Sequence, residues 1–312
     1  MMDAAGFSAI PTSPPDFRSG FVGIVGRPNV GKSTLMNYLI GQKVAITSPI
    51  AQTTRNRLRG ILTTDEAQLI FVDTPGIHKP HHELGKVLVH NARTAIASVD
   101  LVLFVVDGSV PAGRGDQFIT DLLAQQKTPV FLGLNKIDRR SPDTAADIIA
   151  SYEAIAATHQ WPLCEFSAVT GEHVPALQTQ LIQGMALGPY YYPPDLITDQ
   201  PERFIMGELI REQILYHTRE EVPHSVAIAI DRVEEDETIT RILATIHVER
   251  DSQKGILIGK KGSMLKTIGT AAREQMQKLI TGKVYLELFV RVEPKWRQSR
   301  MRLAELGYQR EE

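Results

Sequence analysis

Cysteine is almost absent from this sequence, which has Cys164 and no other cysteine among its 312 residues. The chain therefore cannot form an intrachain disulfide or a cysteine-rich metal site. Because Cys164 lies in an apolar run, we expect it to be a small core residue rather than a reactive thiol. This cysteine usage suits the reducing cytoplasm.

Long apolar runs are also lacking. No stretch approaches the roughly 20 apolar residues that are needed to span a bilayer. Residues 1–17 have neither the basic start nor the sustained apolar core of a secretory signal. Their proline, serine and glycine content predicts a disordered leader. We therefore expect a cytoplasmic protein.

Neither sign of charge dominates the sequence. Lys and Arg number 34, Asp and Glu number 36, and the net charge is -2. Any nucleic-acid site must therefore be a local basic patch. The length and a hydrophobic content of 43% suit two globular domains.

Residues 18–188 have the pattern of an α/β domain. Short, continuous apolar runs alternate with helical segments, which predicts a doubly wound, mostly parallel sheet with helices on both faces. The predicted strands are 21–25, 69–72, 101–106, 130–134 and 163–166, and the predicted helical segments are 84–97, 117–126 and 143–159.

A different pattern follows a linker at residues 189–200. Prolines at 189, 193 and 194 stop helix and central strand alike, which indicates a semi-rigid connection. Residues 201–312 then have the order helix–strand–strand–helix–helix–strand, typical of a small α+β domain. The predicted elements are 202–221, 226–233, 241–250, 258–279 (broken near Gly262 and Gly269) and 284–292.

A phosphate-binding loop follows the first predicted strand. Its sequence fits G-x-x-x-x-G-K-[ST] and opens a helix, so backbone N–H groups and the helix start can surround phosphate oxygens. Lys32 supplies a cation to the β- and γ-phosphates, and the Ser33 hydroxyl can bind Mg²⁺. These features predict a P-loop NTPase. The predicted nucleotide-binding residues here are Gly26, Arg27, Pro28, Asn29, Val30, Gly31, Lys32, Ser33 and Thr34.

The segment Asp73-Thr74-Pro75-Gly76 ends the second predicted strand. Asp73 can reach the Mg²⁺ shell from the end of a buried strand. Gly76 can present its backbone N–H to the γ-phosphate without a side chain in the way. We therefore assign Asp73 to metal binding and Gly76, with Lys32, to catalysis.

The segment Asn135-Lys136-Ile137-Asp138 predicts which base is bound. The Asp138 carboxylate can accept hydrogen bonds from the N1–H and N2 amine of guanine, whereas adenine lacks that pair of donors. The Lys136 stem can cover the ring, and Asn135 can brace the loop. A backbone N–H of Ser167 or Ala168 can meet the guanine carbonyl oxygen. GTP and GDP are therefore the predicted ligands, and an ATP site is the disfavoured alternative.

The glutamine that orients the hydrolytic water in Ras and Gα has no counterpart here, because Ile77 follows Gly76. The segment 46–59 is a predicted switch loop in which Thr54, or alternatively Thr53, binds Mg²⁺. Residues 77–82 are the second predicted switch. Their three histidines permit a metal site, although a solvated loop is favoured.

A GxxG loop lies in the C-terminal domain at Gly259-Lys260-Lys261-Gly262. Residues 254–302 contain twelve Lys and Arg against three Asp and Glu, so basic charge is concentrated around this loop. Together with the order of elements, this predicts a type II KH domain that binds RNA, and a solvated basic face is the alternative. The predicted RNA-binding residues are Ile256, Ile258, Gly259, Lys260, Lys261, Gly262, Lys266 and Arg273.

A G domain with the motifs QTTR, DTPG, NKID and SA, followed by a KH domain, resembles the Era family of bacterial GTPases. The resemblance covers roughly residues 21–308. It implies binding to small-subunit ribosomal RNA near its 3′ end, a role in assembly of the small ribosomal subunit, and peripheral association with the inner membrane. The hydrophobic residue in place of the glutamine resembles that of translation-factor-related GTPases, whose relatives with asparagine in the phosphate loop use K⁺ at the phosphates. This resemblance implies that Asn29 binds K⁺ and takes part in catalysis, and the alternative is that Asn29 only shapes the turn.

These features predict a slow, monomeric GTPase switch that binds ribosomal RNA. The main alternative is a signalling GTPase directed at a membrane or a protein, with incidental RNA binding. A tRNA-modification GTPase is disfavoured, because the chain lacks a cysteine-bearing C-terminal motif.

Overall fold

The structure is a computed structural model that describes residues 10–48, 58–74, 76, 94 and 96–306. The predicted Mg²⁺ ligands Thr53 and Thr54, the residue Ile77, the histidines of the second predicted switch and most of the helix predicted at 84–97 lie outside the described residues. Residues 1–9 of the predicted leader also lie outside them.

The first sheet has the parallel core expected from the apolar runs. Its strands are β1 (Arg18–Val25), β2 (Leu58–Thr63), β3 (Ala67–Asp73), β4 (Leu101–Asp107), β5 (Val130–Asn135) and β6 (Leu163–Glu165), in the order β2-β3-β1-β4-β5-β6. The strands from β3 to β6 are parallel, and β2 runs antiparallel to β3 at the edge. The predicted α/β fold is confirmed, but the sequence pattern did not predict β2.

Helices cover both faces of this sheet. They are α1 (Lys32–Ile40), α2 (Arg114–Leu123), α3 (Ala145–His159) and α4 (Val174–Gln183), of which α4 was not predicted. Apolar residues of α1 and α4 pack on one face and those of α2 and α3 on the other. Cys164 is partly buried against the first of these cores. Because helices cover both faces of the sheet, the strand sequences are continuously apolar and do not alternate between apolar and polar residues.

The second sheet contains β7 (Ala227–Glu235), β8 (Ile239–Val248) and β9 (Lys283–Val292), in that order. Strand β7 is antiparallel to β8, and β8 is parallel to β9. The helices are α5 (Glu202–His217), α6 (Asp251–Ile258), α7 (Ser263–Met276) and α8 (Arg300–Glu305). The predicted element order is confirmed through β9, but α6 lies almost wholly before the helical segment predicted at 258–279, and α8 was not predicted. The predicted break at Gly269 is wrong, because α7 continues through it.

The linker packs against the first domain through its aromatic side chains. The rings of Tyr190 and Phe17 have centroids 4.3 Å apart, and those of Tyr191 and Phe21 are 5.3 Å apart. Phe17 is only 1% exposed, so the predicted leader 1–17 is wrong at its last residue. The ring of Phe17 is buried here because Tyr190 of the linker packs against it.

The C-terminal segment covers one end of the outer face of the second sheet. Trp296 is fully buried, packs with Ala227 and Leu303, and donates its Nε1–H to the carbonyl oxygen of Ser225 at 3.1 Å. This indole therefore anchors the chain end to the KH sheet. Among the described residues, no helix is long and apolar enough to cross a membrane.

We expect Trp296→Ala to destabilise the second domain by about 3–5 kcal/mol, because it leaves a large cavity and an unpaired carbonyl. Trp296→Phe should cost less, since it keeps most of the apolar volume. Guanidinium denaturation followed by far-UV circular dichroism measures both variants against the exposed control Lys278→Ala. A Trp296→Ala midpoint equal to that of the control would contradict this role.

Candidate functional site

The predicted nucleotide residues lie at one edge of the first sheet. The phosphate loop follows β1, Asp73 ends β3, Asn135 ends β5 and Ser167 lies just beyond β6. Because these strands are parallel, their carboxyl ends meet at one edge, where open α/β sheets bind ligands. The topology therefore brings together motifs that are up to about 140 residues apart in the chain.

The phosphate loop is tightly packed against the strand ends. Gly31 has φ +99°, and a Cβ atom at this residue would lie 2.2 Å from Asn135 Nδ2. Asn29 also has a left-handed backbone, with φ 63°, and lies on the exposed side of the loop. Asparagine is among the few residues other than glycine that adopt this conformation readily.

Lys32 opens α1 and is 6% exposed. Its Nζ donates to the carbonyl oxygens of Gly26 and Arg27, at 3.2 and 3.0 Å. Burial lowers the pKa of Lys32 to about 8, although the charge of Asp73 raises it in part. Phosphate oxygens beside this ammonium would favour its charged form.

Two predicted Mg²⁺ ligands are already in contact. Ser33 Oγ donates to Asp73 Oδ2 at 2.6 Å, and Asp73 is fully buried. A hydroxyl and a carboxylate are the hard oxygen ligands that Mg²⁺ prefers. The next residue, Thr74, holds this segment to β1 by donating its Oγ1–H to the carbonyl oxygen of Ile24 at 2.8 Å.

Gly76 lies directly against the phosphate loop. A Cβ atom at this residue would be 2.8 Å from the backbone nitrogen of Pro28. A larger residue would therefore displace the backbone that is predicted to face the γ-phosphate. The close contact with Pro28 therefore explains why this position needs glycine, which the motif alone does not show.

Asn135 connects the phosphate loop to the base-binding loops. Its Nδ2 donates to the carbonyl oxygen of Val30 at 2.8 Å. Its Oδ1 accepts from the backbone N–H groups of Lys136 and Ala168, at 2.8 and 2.9 Å. The predicted bracing role of Asn135 matches these contacts.

Asp138 lies at the predicted base-binding position. Its Oδ1 accepts from Ser167 Oγ at 2.6 Å, which orients the carboxylate. The expected backbone donors are engaged differently, because the N–H of Ser167 donates to Glu172 and that of Ala168 donates to Asn135. In this structure these N–H groups therefore stabilise the loop rather than point at a base.

Sequence reasoning missed Asp107, although it ends β4 as Asp73 ends β3. Lys136 Nζ pairs with Asp107 Oδ2 at 2.6 Å. Burial raises the pKa of Asp107, but hydrogen bonds from Lys136 and Ser109 outweigh burial and hold it below its usual value. This ion pair fixes the lysine stem that is predicted to cover the base.

Asp116 was also missed. It is fully buried in α2, and its Oδ1 lies 2.7 Å from Nε of Arg27 in the phosphate loop. Nothing in the local sequence indicates this pairing, because the two residues are 89 positions apart. The contact secures the loop to the helix beside it.

The predicted RNA motif forms a sharp connection between α6 and α7. Gly259 and Gly262 have φ +69° and +79°, and Lys261 between them has φ 53°. A Cβ at Gly259 would lie 2.8 Å from Met264 Cβ, whereas the space around Gly262 is open. The loop thus leaves room for a closely approaching backbone such as a phosphate chain.

The other predicted RNA residues flank this loop. Lys260, Lys261 and Lys266 are exposed, and Ile256 is 49% exposed. Ile258 and Arg273 are half-buried. Lys266 and Arg273 are seven residues apart on α7 and therefore share one side of the helix.

Comparison with known proteins supports both domains. The family model described as 50S ribosome-binding GTPase matches residues 21–136, and the KH domain model matches residues 221–297. GTPase Era of Nostoc sp. is 73% identical over 308 residues, which cover 99% of this chain and 95% of that protein. GTPase Era of Crocosphaera subtropica is 65% identical and covers 100% of this chain and 99% of its own length.

The chain belongs to the GTPase Era family. The resemblance found in its motifs is thereby confirmed, and membership makes this Era-family chain a GTPase.

Solved Era structures have the same two-domain fold. Era in complex with MgGDPNP and nucleotides 1506–1542 of 16S ribosomal RNA is 37% identical, with a TM-score of 0.89 over 94% of this chain and 99% of that chain. An Era variant from Aquifex aeolicus bound to GDP·AlF4⁻ is 36% identical, with the same TM-score and coverage. The agreement includes the KH domain as well as the nucleotide domain.

We expect Asn135→Ala to weaken GTP binding by about 1–3 kcal/mol, since it leaves the buried Val30 carbonyl and Ala168 N–H without their partner. This corresponds to roughly a fivefold to 150-fold rise in Kd. Calorimetry with GTP and Mg²⁺ measures the change. Gln117→Ala, which removes an exposed amide on α2, is the control, and unchanged GTP affinity in folded Asn135→Ala would contradict the bracing role.

Proposed function

We propose that this Era-family GTPase is a molecular switch that binds small-subunit ribosomal RNA near its 3′ end and assists assembly of the small ribosomal subunit. The observation that carries the proposal is the overall match to the Era complex that holds both MgGDPNP and a 16S ribosomal RNA fragment. That match covers 94% of this chain, so it includes the phosphate loop and the GxxG loop together.

The nucleotide edge of the sheet supports binding of GTP and GDP with Mg²⁺. Ser33 and Asp73 would hold Mg²⁺, which supplies positive charge to the β- and γ-phosphates. Lys32 supplies a further positive charge from within the phosphate loop. Asp138, oriented by Ser167, accepts the guanine donors.

The C-terminal domain supports RNA binding. The GxxG loop combines open backbone geometry with two exposed lysines, and the half-buried Ile258 lies at the end of the preceding helix. KH domains clamp about four nucleotides with this loop. The alternative function is a signalling switch directed at a membrane or a protein, in which RNA binding is incidental.

We expect Lys260→Ala/Lys261→Ala to weaken binding of a labelled 16S 3′-end oligonucleotide in the presence of GDPNP. If both lysines contact phosphates, the slope of log K against log salt should shrink by about 1.4, since each single-strand contact contributes about 0.7. Lys127→Ala/Arg219→Ala removes the same charge at exposed positions outside the motif.

The two proposed functions give different outcomes in this experiment. An unchanged slope and affinity in the loop variant would refute RNA recognition through GxxG. Nucleotide-dependent recovery of the protein on membrane vesicles that survives substitution of Gly259 and Gly262 would favour the membrane-directed function instead.

We also propose that K⁺ bound by Asn29 assists hydrolysis. Asn29 is exposed on the phosphate loop, and its oxygen is a suitable ligand for a hard cation. A positive charge at this position would take the place of an arginine finger, which stabilises charge in the transition state.

We expect turnover in KCl to exceed turnover in NaCl of equal ionic strength by about tenfold or more, which is about 1.4 kcal/mol of transition-state stabilisation. Asn29→Gly should lose this difference, because it keeps the left-handed backbone but removes the oxygen. Asn29→Asp keeps an oxygen and should retain it. Equal turnover of the native protein in both salts would exclude a K⁺ requirement.

A further inference from the structure

The segment of residues 43–47 leaves α1 and contacts both domains. Asn37 of α1 holds its middle, because its Oδ1 accepts from the N–H groups of Val44 and Ala45 at 3.0 and 2.8 Å. Asn37 Nδ2 donates to the carbonyl oxygen of Ala45 at 2.7 Å. The apolar side chains of Val44 and Ala45 are buried in the core of the nucleotide domain. The segment is therefore fixed to the helix that begins at the phosphate loop.

The remaining side chains of the segment contact the KH domain. Ile46 is 5% exposed and packs in the KH core with residues of α5. Glu212 of α5 accepts from Lys43 Nζ at 2.5 Å and from the backbone N–H of Thr47 at 2.9 Å. Glu212 is only 1% exposed, and burial of a carboxylate without such donors would cost free energy. The contact therefore fixes where the two domains meet.

The linker also contacts β2, at the end of the predicted switch loop and just beyond it. Arg59 of β2 pairs with Asp199 at 2.6 Å, and the Arg59 carbonyl oxygen accepts from Thr198 Oγ1 at 2.6 Å. The N–H of Ile61 donates to the carbonyl oxygen of Ile197 at 2.8 Å. These linker residues lead directly into α5. Both flanks of the sequence that carries QTTR are thus attached to the linker and α5.

We propose that Glu212 is a positioning residue that couples the nucleotide site to the RNA-binding domain. The inference rests on the proposed switch function. A displacement of residues 43–47 that follows a change of nucleotide acts on Glu212, and α5 packs against α7, which begins at the GxxG loop. Linkage requires that RNA bound at that loop acts on the nucleotide site by the same amount.

A different result is expected if the ion pair between Lys43 and Glu212 is purely structural. It would change the stability of the protein and leave the effect of nucleotide on RNA affinity unaltered. The distinguishing quantity is the ratio of the RNA Kd measured with GDP to the Kd measured with GDPNP. Allosteric coupling of this kind is typically worth about 5-fold to 150-fold in affinity.

The experiment uses the full chain with Mg²⁺ and a fluorescent RNA of nucleotides from the 16S 3′ end. Glu212→Gln keeps an oxygen for the Thr47 N–H but removes the charge that holds Lys43. We expect it to reduce the Kd ratio to near one, with GTP affinity changed less than about threefold, because Glu212 lies outside the nucleotide site. A Glu212→Gln ratio equal to that of the native protein would overturn the inference.

Glu249→Gln is the matched control. Glu249 pairs with Arg297 within the KH domain and is also a poorly exposed carboxylate, with 12% of its side chain accessible against 2% for Glu212. Glu249→Gln removes the charge of one partner in a partly buried ion pair, and this pair does not connect the two domains. We expect this variant to have the same ratio of RNA Kd values as the native protein. A ratio reduced to near one would mean that loss of any ion pair in the KH domain has the same effect, which would contradict a specific role of Glu212.

A second variant keeps the test decisive if Glu212→Gln folds poorly. Lys43→Met removes the same ion pair from the nucleotide domain at a partly exposed side chain. It should lower the ratio of the RNA Kd values toward one, as Glu212→Gln does, because the two residues form one ion pair. A folded Lys43→Met protein with the native ratio would refute the coupling. A native protein with equal RNA affinity in both nucleotide states would refute the switch itself.

Discussion

The buried amide of Asn135 is the interaction on which the nucleotide site depends. It ties the phosphate loop after β1 to the loops after β5 and β6 through Val30 and Ala168. The two regions are predicted to bind opposite ends of a nucleotide, so their separation must be held constant. An amide is suited to this because it donates and accepts at once. Without it, phosphate recognition and base recognition would be positioned independently.

Several charged side chains of the predicted nucleotide site are buried. Lys32 and Asp73 are buried beside one another, and Asp116 holds the phosphate loop through Arg27. Burial of this kind costs free energy unless each charge has partners. The triphosphate that the site is built for supplies negative charge to Lys32. The same burial that lowers the pKa of this lysine makes its interaction with phosphate stronger.

The two domains differ in how they use charge. In the nucleotide domain, individual charged residues lie at the ends of strands. In the KH domain, lysines and arginines lie on the exposed GxxG loop and along α7. Between them, Glu212 brings a buried carboxylate of the KH domain to the chain that leaves α1. Because the linker also covers the β2 edge, residues 197–212 contact the nucleotide domain on both sides of its predicted switch.

The sequence by itself determined the parts of this protein that depend on local patterns. Continuous apolar runs predicted the parallel strands, and the motifs G-x-x-x-x-G-K-[ST], NKID and GxxG predicted the binding of phosphate, guanine and RNA. These motifs can be recognised in the sequence because each one holds its backbone and side-chain groups within a few consecutive residues. Edge strand β2 and helix α4 were missed, because their apolar patterns are short and depend on the neighbours that they pack against.

Only the tertiary structure decided which distant side chains meet. Lys136 pairs with Asp107 across 29 positions, Arg27 with Asp116 across 89, and Lys43 with Glu212 across 169. No periodicity or spacing encodes such pairs. Each carboxylate is satisfied by a donor that the fold, not the local chain, brings within hydrogen-bonding distance. The sequence therefore determined what this protein recognises, and the packing of its strands and domains decided how the recognising groups are held and connected.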